Sequence, residues 1–284
     1  MKIKAVCELM RLDHGFMFMI AVFIGALVTG QDVIDNLISI GFASLTALFL
    51  QAGAFSLNDY MDLDIDRINN RMDRPLVRGE LKPETALLIF FITFPLGIIF
   101  SFLVNEICFI IALVTGFLAI LYDVKIKKLK YLGNLYIAYT TSIPFIFGSF
   151  AVSSKVCLPA MILALIAFLS NLGREIMKDL LDIEGDRARG VRSLPLLLGE
   201  KSARLAVAIL YLSAVSLSPL PFFLRGTVYC MDYFYLCTII LADLIFLHIS
   251  LGLTKRVSDL QRYRKLSLIG MMVGLSAFLL GTIA

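Results

Sequence analysis

The sequence predicts an all-α, polytopic membrane protein, in which about nine transmembrane helices form a bundle that encloses an apolar cavity with a cytoplasmic polar cap. The first observation is composition: the 284 residues are 59% hydrophobic and have a mean hydropathy of +0.88, whereas soluble domains are only about half apolar. The second is a series of apolar runs, each close to the roughly 20 residues that a membrane helix needs. The third is the one-sided placement of the basic residues.

Short polar breaks, such as Asn105-Glu106, divide the apolar runs. The predicted spans lie near residues 15–30, 34–57, 84–104, 106–122, 132–152, 156–178, 203–223, 231–253 and 265–283. The segment before the first span is mildly basic and has no convincing signal-peptide cleavage site, so we expect the first run to remain as a membrane helix. No soluble domain is visible, and residues 1–284 are expected to form a single transmembrane domain.

The lysines and arginines test this assignment of spans. Of the 26 basic residues, only Lys155 and Arg225 fall on one side of the predicted membrane. In membrane proteins the cytoplasmic connections carry the excess of Lys and Arg. The sequence therefore predicts a multi-pass protein of the cell membrane, with its N-terminus and its two Asp-rich segments facing the cytoplasm.

Cysteine and histidine do not indicate a metal or disulfide site. The five cysteines are scattered, form no Cys-x-x-Cys pair and mostly lie in apolar runs, which favours the role of small buried hydrophobic residues. The two histidines, His14 and His248, are far apart in sequence. A histidine-based metal site is therefore not expected.

Two acidic clusters follow long apolar runs, and both keep Asp at positions i, i+3 and i+7. At about 100° per residue, these positions share one face of a helix. The first cluster is Asn58, Asp59, Asp62 and Asp66, and the second is Asp179, Asp182 and Asp186, which Asn171 and Glu175 extend upstream.

So many neighbouring carboxylates are unfavourable unless cations neutralise them. Mg²⁺ prefers oxygen ligands and commonly bridges protein carboxylates to substrate phosphates. The clusters therefore predict metal ligands for a diphosphate at a membrane surface. The alternative interpretation is a set of solvated carboxylates that pair with nearby Arg and Lys.

The polar loops near 59–82 and 179–202 resemble one another, since each begins with Asp, continues with Arg and then reaches Pro. This likeness predicts an internal duplication of about four helices. Several basic residues flank the clusters and are candidates for phosphate binding, although any one of them could simply reflect cytoplasmic placement. They are Arg67, Arg74, Arg78, Lys178, Arg187 and Arg192.

A third motif ends the fourth predicted span, where Tyr122 is followed by Lys125 and Lys128. It combines a phenol and lysines at the membrane face that carries both clusters. Tyrosine at a membrane interface and cytoplasmic lysine are also common without any catalytic role.

At these residues the chain resembles the UbiA superfamily of intramembrane prenyltransferases. The family's NDxxDxxxD motif is matched by the first cluster, its second DxxxD-type motif by the second cluster, and its Tyr/Lys motif by Tyr122, Lys125 and Lys128. Segment 174–186 is similar to the archaeal ether-lipid branch. The chain departs from the family at one place. Many members have Arg-Pro-x-Asn before the first helix, whereas here Arg11 is followed by Leu12-Asp13-His14, so the role of the family's asparagine is not carried over.

The resemblance implies Mg²⁺-dependent transfer of a geranylgeranyl group from its diphosphate to the glycerol hydroxyl of geranylgeranylglyceryl phosphate. Asp62, Asp182 and Tyr122 would take part in catalysis. The partners would be a prenyl diphosphate, a lipid-like acceptor and membrane lipids, without nucleic acid, and the oligomeric state stays open.

Two alternatives remain. The first is a member of the superfamily that uses an aromatic or quinone-precursor acceptor. The second is a cation transporter or channel, although a transporter would more naturally place its carboxylates near the bilayer midplane than at the ends of spans.

Overall fold

The computed structural model describes residues 2–188, 190–255 and 259–282, and these residues fold into α-helices joined by short connections. The predicted all-α class is confirmed. The helices are α1 (Lys2–Met10), α2 (Leu12–Leu27), α3 (Leu37–Met61), α4 (Leu63–Ile68), α5 (Pro83–Val104), α6 (Glu106–Val124), α7 (Lys130–Val152), α8 (Leu158–Leu181), α9 (Ile183–Ala188), α10 (Leu194–Leu198), α11 (Glu200–Leu217), α12 (Leu220–Phe223), α13 (Tyr233–Leu253) and α14 (Leu260–Leu280).

Among the described residues, eight helical segments are long and apolar enough to cross a membrane by themselves. A ninth is obtained if α1 and α2, which are bent by 50° at their junction, count as one span. Arg11 sits at this junction with φ 46°, a left-handed conformation that interrupts a helix of L-residues. The break turns α1 away from α2, and the first predicted span is found as α2, which begins and ends three residues earlier than expected.

Helix α1 forms part of the polar cap. Its buried side chains Ala5 and Leu9 pack against Leu63, Leu76 and Leu81, which lie in α4 and in the loop after it. The segment that precedes α2 therefore covers the first cluster with an apolar layer.

Several spans extend further toward the cap than the hydropathy pattern predicts. Helix α3 continues to Met61 and α8 to Leu181. Asn58, Asp59 and Asp179 consequently belong to the last turns of long helices, and the loops begin after them. The clusters are therefore anchored on helices that are rigidly packed in the bundle.

The ends of α3 and α8 have the same local structure. Each long helix is followed by a single joint residue, Asp62 or Asp182, and then by a six-residue helix. Each short helix closes with a residue of positive φ, Asn70 or Gly190, in the manner of a Schellman C-cap. This parallel supports an internal duplication, which stays a prediction.

Glycine allows α2 and α7 to approach closely. A Cβ atom on Gly148 would overlap the carbonyl of Val22, and one on Gly25 would overlap the carbonyl of Phe145. Small residues at such contacts are a common way for membrane helices to pack. The contact fixes α7, whose first turn carries part of the candidate site.

Gly148→Ala is expected to lower the free energy of unfolding by about 1–3 kcal/mol, because the new methyl group forces the two backbones apart. The measurement is unfolding of the purified protein in mixed micelles. Gly41→Ala is the matched control, since Gly41 is also helical and has nothing within 4 Å of its added Cβ. Equal effects of the two substitutions would contradict this interpretation of the contact.

Candidate active site

Asp59 is the most deeply buried member of the first cluster, with a side chain that is 2% exposed. Its Oδ1 accepts hydrogen bonds from Nη2 of Arg11 at 2.7 Å and from Nη1 of Arg74 at 3.0 Å. Among the described residues, its Oδ2 has no hydrogen-bond partner. A buried carboxylate oxygen without a donor is suited to a cation.

Asp62, at the joint of α3 and α4, faces the centre of the cap. It accepts hydrogen bonds from the Lys127 ammonium and from the side-chain amide of Asn58, the latter at 3.2 Å. The same amide donates to Oδ1 of Asp123 at 2.7 Å. Asn58 therefore links the first cluster to the buried carboxylate at the end of α6.

Asp66 is the third Asp of the predicted helical face, and its side chain is buried in α4. Burial raises the pKa of Asp66, which Arg71 opposes. In the loop that follows, a hydrogen bond from Arg71 lowers the pKa of Asp73, so that this exposed carboxylate stays ionised. The predicted helical face is thus present, and it points into the protein.

The second cluster converges on a single ammonium group. Nζ of Lys130 lies 2.8 Å from Asp186, 3.1 Å from Asp179 and 3.6 Å from Asp182. Asn134 donates a hydrogen bond to the other oxygen of Asp179 at 2.7 Å. Lys130 and Asn134 lie on the first turns of α7, so this helix organises the carboxylates of α8 and α9.

A polar cavity of about 150 Å³ adjoins Asp179 of the second cluster and is also lined by Lys127, the partner of Asp62. Tyr122 lines it and stacks on Tyr136, with ring centroids 4.8 Å apart. The other lining residues are Lys127, Lys130, Gly133, Asn134, Ile137, Glu175, Lys178 and Asp179. The cavity therefore brings a phenol, three ammonium groups and carboxylates to one place.

An apolar cavity of about 120 Å³ lies between α2, α7, α8, α11, α13 and α14. Phe145, Ile239, Phe246 and Phe278 are among the side chains that line it. This arrangement agrees with the predicted apolar cavity within the bundle. Such a chamber can accept part of a hydrocarbon chain.

The predicted basic residues occupy different environments. Arg74 binds Asp59, and Lys178 binds Glu175 within the cavity wall. Arg74 and the other described members of this group do not line the cavity: Arg78 binds Glu8 and Glu80, Arg67 lies 3.7 Å from Asp64, and Lys125, Arg187 and Arg192 are exposed. The side chain of Asn171, also a predicted site residue, donates a hydrogen bond to the Ile137 carbonyl. The Lys128 side chain lies outside the described part of the structure.

Four residues of the site were not among the predicted ones. They are Arg11, Lys127, Lys130 and Asn134. The lysine run 125–130 contained a signal, but the family's Tyr/Lys motif was matched to Lys125 and Lys128. Helix α6 instead ends at Val124, and a 3-10 helix over Ile126–Lys128 turns Lys127 toward the first cluster.

The donor set fits a hard divalent cation. Within the residues that the structure describes, no three acidic, Cys or His side chains are close enough to hold a metal directly. At the second cluster the Lys130 ammonium explains this spacing. Its nitrogen lies about 3 Å from the carboxylate oxygens, whereas Mg²⁺ requires ligand oxygens at about 2.0–2.1 Å. The all-oxygen donor set and the unpartnered Oδ2 of Asp59 match the ligands that Mg²⁺ prefers.

Comparison with known proteins gives a consistent family. The model of the UbiA prenyltransferase family matches residues 18–269. The chain is 41% identical over 281 residues to digeranylgeranylglyceryl phosphate synthase of Archaeoglobus fulgidus, covering 98% of this chain and 95% of that protein. It is 35% identical to the synthase of Methanosarcina mazei, with 98% of both chains covered.

Solved structures show the same architecture. A structure of digeranylgeranylglyceryl phosphate synthase superimposes with a TM-score of 0.81 and 33% identity, covering 99% of each chain. A UbiA homolog from Archaeoglobus fulgidus bound to GPP and Mg²⁺ gives a TM-score of 0.63 at 19% identity, with 96% of this chain and 99% of that chain covered. At 19% identity, the second comparison shows that the two proteins share a fold.

Proposed function

The chain belongs to the UbiA prenyltransferase family, and from this premise we propose that it transfers a geranylgeranyl group to the glycerol hydroxyl of geranylgeranylglyceryl phosphate with the help of Mg²⁺. That it is an intramembrane prenyltransferase follows from the family match and from near full-length identity to named synthases. The observation that carries the site assignment is the polar cavity, in which side chains next to both acidic clusters meet.

The donor diphosphate fits the polar cavity. Lys127, Lys130 and Lys178 supply positive charge there, and preorganised cations stabilise the charge that develops on a leaving group. Mg²⁺ held by the clusters would supply Lewis-acid stabilisation of the same charge. Asp62 and Asp182 would be metal ligands accessible to the substrate, because each is the most exposed Asp of its cluster and contacts a lysine of the cavity.

The reaction breaks the bond between C1 of the prenyl chain and the diphosphate oxygen, and the electron pair leaves with the diphosphate. The apolar cavity would hold part of the hydrocarbon chain away from water, which would help to protect the allylic cation from hydrolysis. The glycerol oxygen then forms its bond to C1, and its proton passes to the released diphosphate. Tyr122, which lines the polar cavity, would orient that hydroxyl.

The acceptor is tested with purified protein, Mg²⁺ and labelled geranylgeranyl diphosphate, in parallel incubations with geranylgeranylglyceryl phosphate and with 4-hydroxybenzoate. We expect metal-dependent transfer of label to the glycerol phosphate. Transfer of label to the aromatic ring would mean that the acceptor is an aromatic compound, although the protein would still be a prenyltransferase. Metal-dependent uptake of cations into vesicles, without diphosphate release, would instead favour a transporter.

We further propose that the polar cap faces the cytoplasm, because the basic residues gather on its side of the spans. Single cysteines at positions 82 and 155, in a variant whose natural cysteines are replaced, test this orientation. Both positions are exposed lysines at opposite ends of the bundle. A membrane-impermeant maleimide added to intact cells should label position 155 and spare position 82, and the reverse pattern would contradict the orientation.

A further inference from the structure

Lys130 holds the second cluster together in a way that no other described lysine matches at either cluster. Its ammonium lies within 3.6 Å of all three carboxylates, of which Asp179 and Asp186 are almost fully buried. By contrast, Lys127 contacts only Asp62 in the first cluster. One of the three negative charges of the second cluster is therefore offset by a cation that belongs to the chain itself.

The position of this ammonium is the position that a metal ion would need. Three carboxylates that approach one nitrogen at 2.8–3.6 Å leave no room for a second cation at the same point. Mg²⁺ would draw the oxygens in to about 2.0–2.1 Å. Metal binding at the second cluster therefore requires the ammonium to leave.

The polar cavity offers the Lys130 ammonium a second position. Its side chain lines the polar cavity beside Lys127 and Lys178, and it is 28% exposed. A lysine has a flexible four-carbon stem, so its charge can move several ångströms without moving the helix. Lys130 is also the first residue of α7, where the positive end of the helix dipole favours the departure of a cation.

We propose that Lys130 is an exchangeable counter-ion, which occupies the second cluster until a divalent cation displaces it and its ammonium then binds the donor diphosphate in the polar cavity. This proposal rests on the proposed function. A metal ion that binds the second cluster would free the Lys130 ammonium, which then becomes an additional positive charge for the substrate. The two clusters therefore differ: the first offers an unpartnered oxygen on Asp59, whereas the second must exchange one cation for another.

Mn²⁺ binding to the full-length protein, followed by electron paramagnetic resonance without donor or acceptor, tests the exchange. If the ammonium occupies the cluster in about nine molecules of ten, it raises the apparent dissociation constant about tenfold. Lys130→Met should therefore bind Mn²⁺ about tenfold more tightly at its weaker site. Lys130→Arg, which keeps a cation there, should remain close to the wild type.

Lys178→Met is the matched control, because it removes a positive charge from the same cavity wall while its partner is Glu175. A similar gain in Mn²⁺ affinity from Lys178→Met would reduce the effect to general electrostatics and overturn the exchange. An unchanged affinity in Lys130→Met would overturn it as well.

The exchange can also be measured on the wild-type protein, so that the test does not depend on whether the variants fold. Acetylation of lysines, read out by mass spectrometry, reports how free each ammonium is. Mg²⁺ alone should raise the labelling of Lys130 and leave Lys178 unchanged, and Mg²⁺ with a non-hydrolysable prenyl thiodiphosphate should lower it again. Unchanged labelling of Lys130 on addition of Mg²⁺ would overturn the proposal, whereas failure of prenyl transfer alone would refute only the proposed function.

Discussion

Asp62→Asn is expected to reduce prenyl transfer by on the order of 10²–10³-fold, the usual effect of removing one group that stabilises charge in the transition state. Asp62 is the joint residue of α3 and α4, and its side chain is 25% exposed, whereas that of Asp59 is 2% exposed. It is therefore the carboxylate of the first cluster that a metal ion and a substrate can reach together. The asparagine keeps the size of the side chain and removes its charge.

The control for this variant lies two residues further on. Asp64 belongs to the short helix that follows Asp62, but its side chain is 94% exposed and forms a loose ion pair with Arg67 at 3.7 Å. Asp64→Asn should change the rate of transfer by less than about twofold, since exposed ion pairs contribute little. Initial rates at saturating donor, with both proteins shown to be folded, provide the comparison. Full activity in Asp62→Asn would remove the first cluster from the metal site.

Asp182→Asn is expected to have an effect of similar size, because Asp182 occupies the equivalent joint between α8 and α9. Its side chain is 48% exposed and lies 3.6 Å from Lys130. The control is Glu184→Gln in the same short helix, where Glu184 is exposed. We expect the first variant to lose transfer and the second to keep it.

The double variant of Asp62 and Asp182 separates one joint site from two independent ones. Residues that act as a unit show strongly non-additive losses, so a second substitution adds little once the first has disabled the site. The double variant should therefore be nearly as active as either single variant. Losses that multiply would mean that the clusters contribute separately.

The sequence was most informative where a regular pattern corresponds to a regular structure. Hydropathy located the spans, because a helix in lipid must satisfy its own backbone. The i, i+3 and i+7 spacing placed Asp59, Asp62 and Asp66 on a common face, since α3 and α4 preserve helical geometry across the joint at Asp62. The family and the enzyme class predicted from these motifs are confirmed.

The missed residues lie where the helical pattern is interrupted. Arg11 reaches Asp59 only because its own left-handed backbone bends α1 away from α2. Lys127 and Lys130 reach different clusters because a 3-10 turn separates α6 from α7. The match to the family's Tyr/Lys motif selected Lys125 and Lys128 instead, because the motif does not show how the chain turns after Val124.

The central claim is that carboxylates from both halves of the chain hold the donor diphosphate through shared metal ions. A crystal structure with Mn²⁺ and geranylgeranyl thiodiphosphate, with the metal located by anomalous scattering, tests it most directly. We expect manganese peaks beside the polar cavity, with ligands from Asp62 and Asp182 and the thiodiphosphate between them. Metal bound to one cluster alone, or a thiodiphosphate held outside the cavity near Arg67 and Arg187, would contradict it.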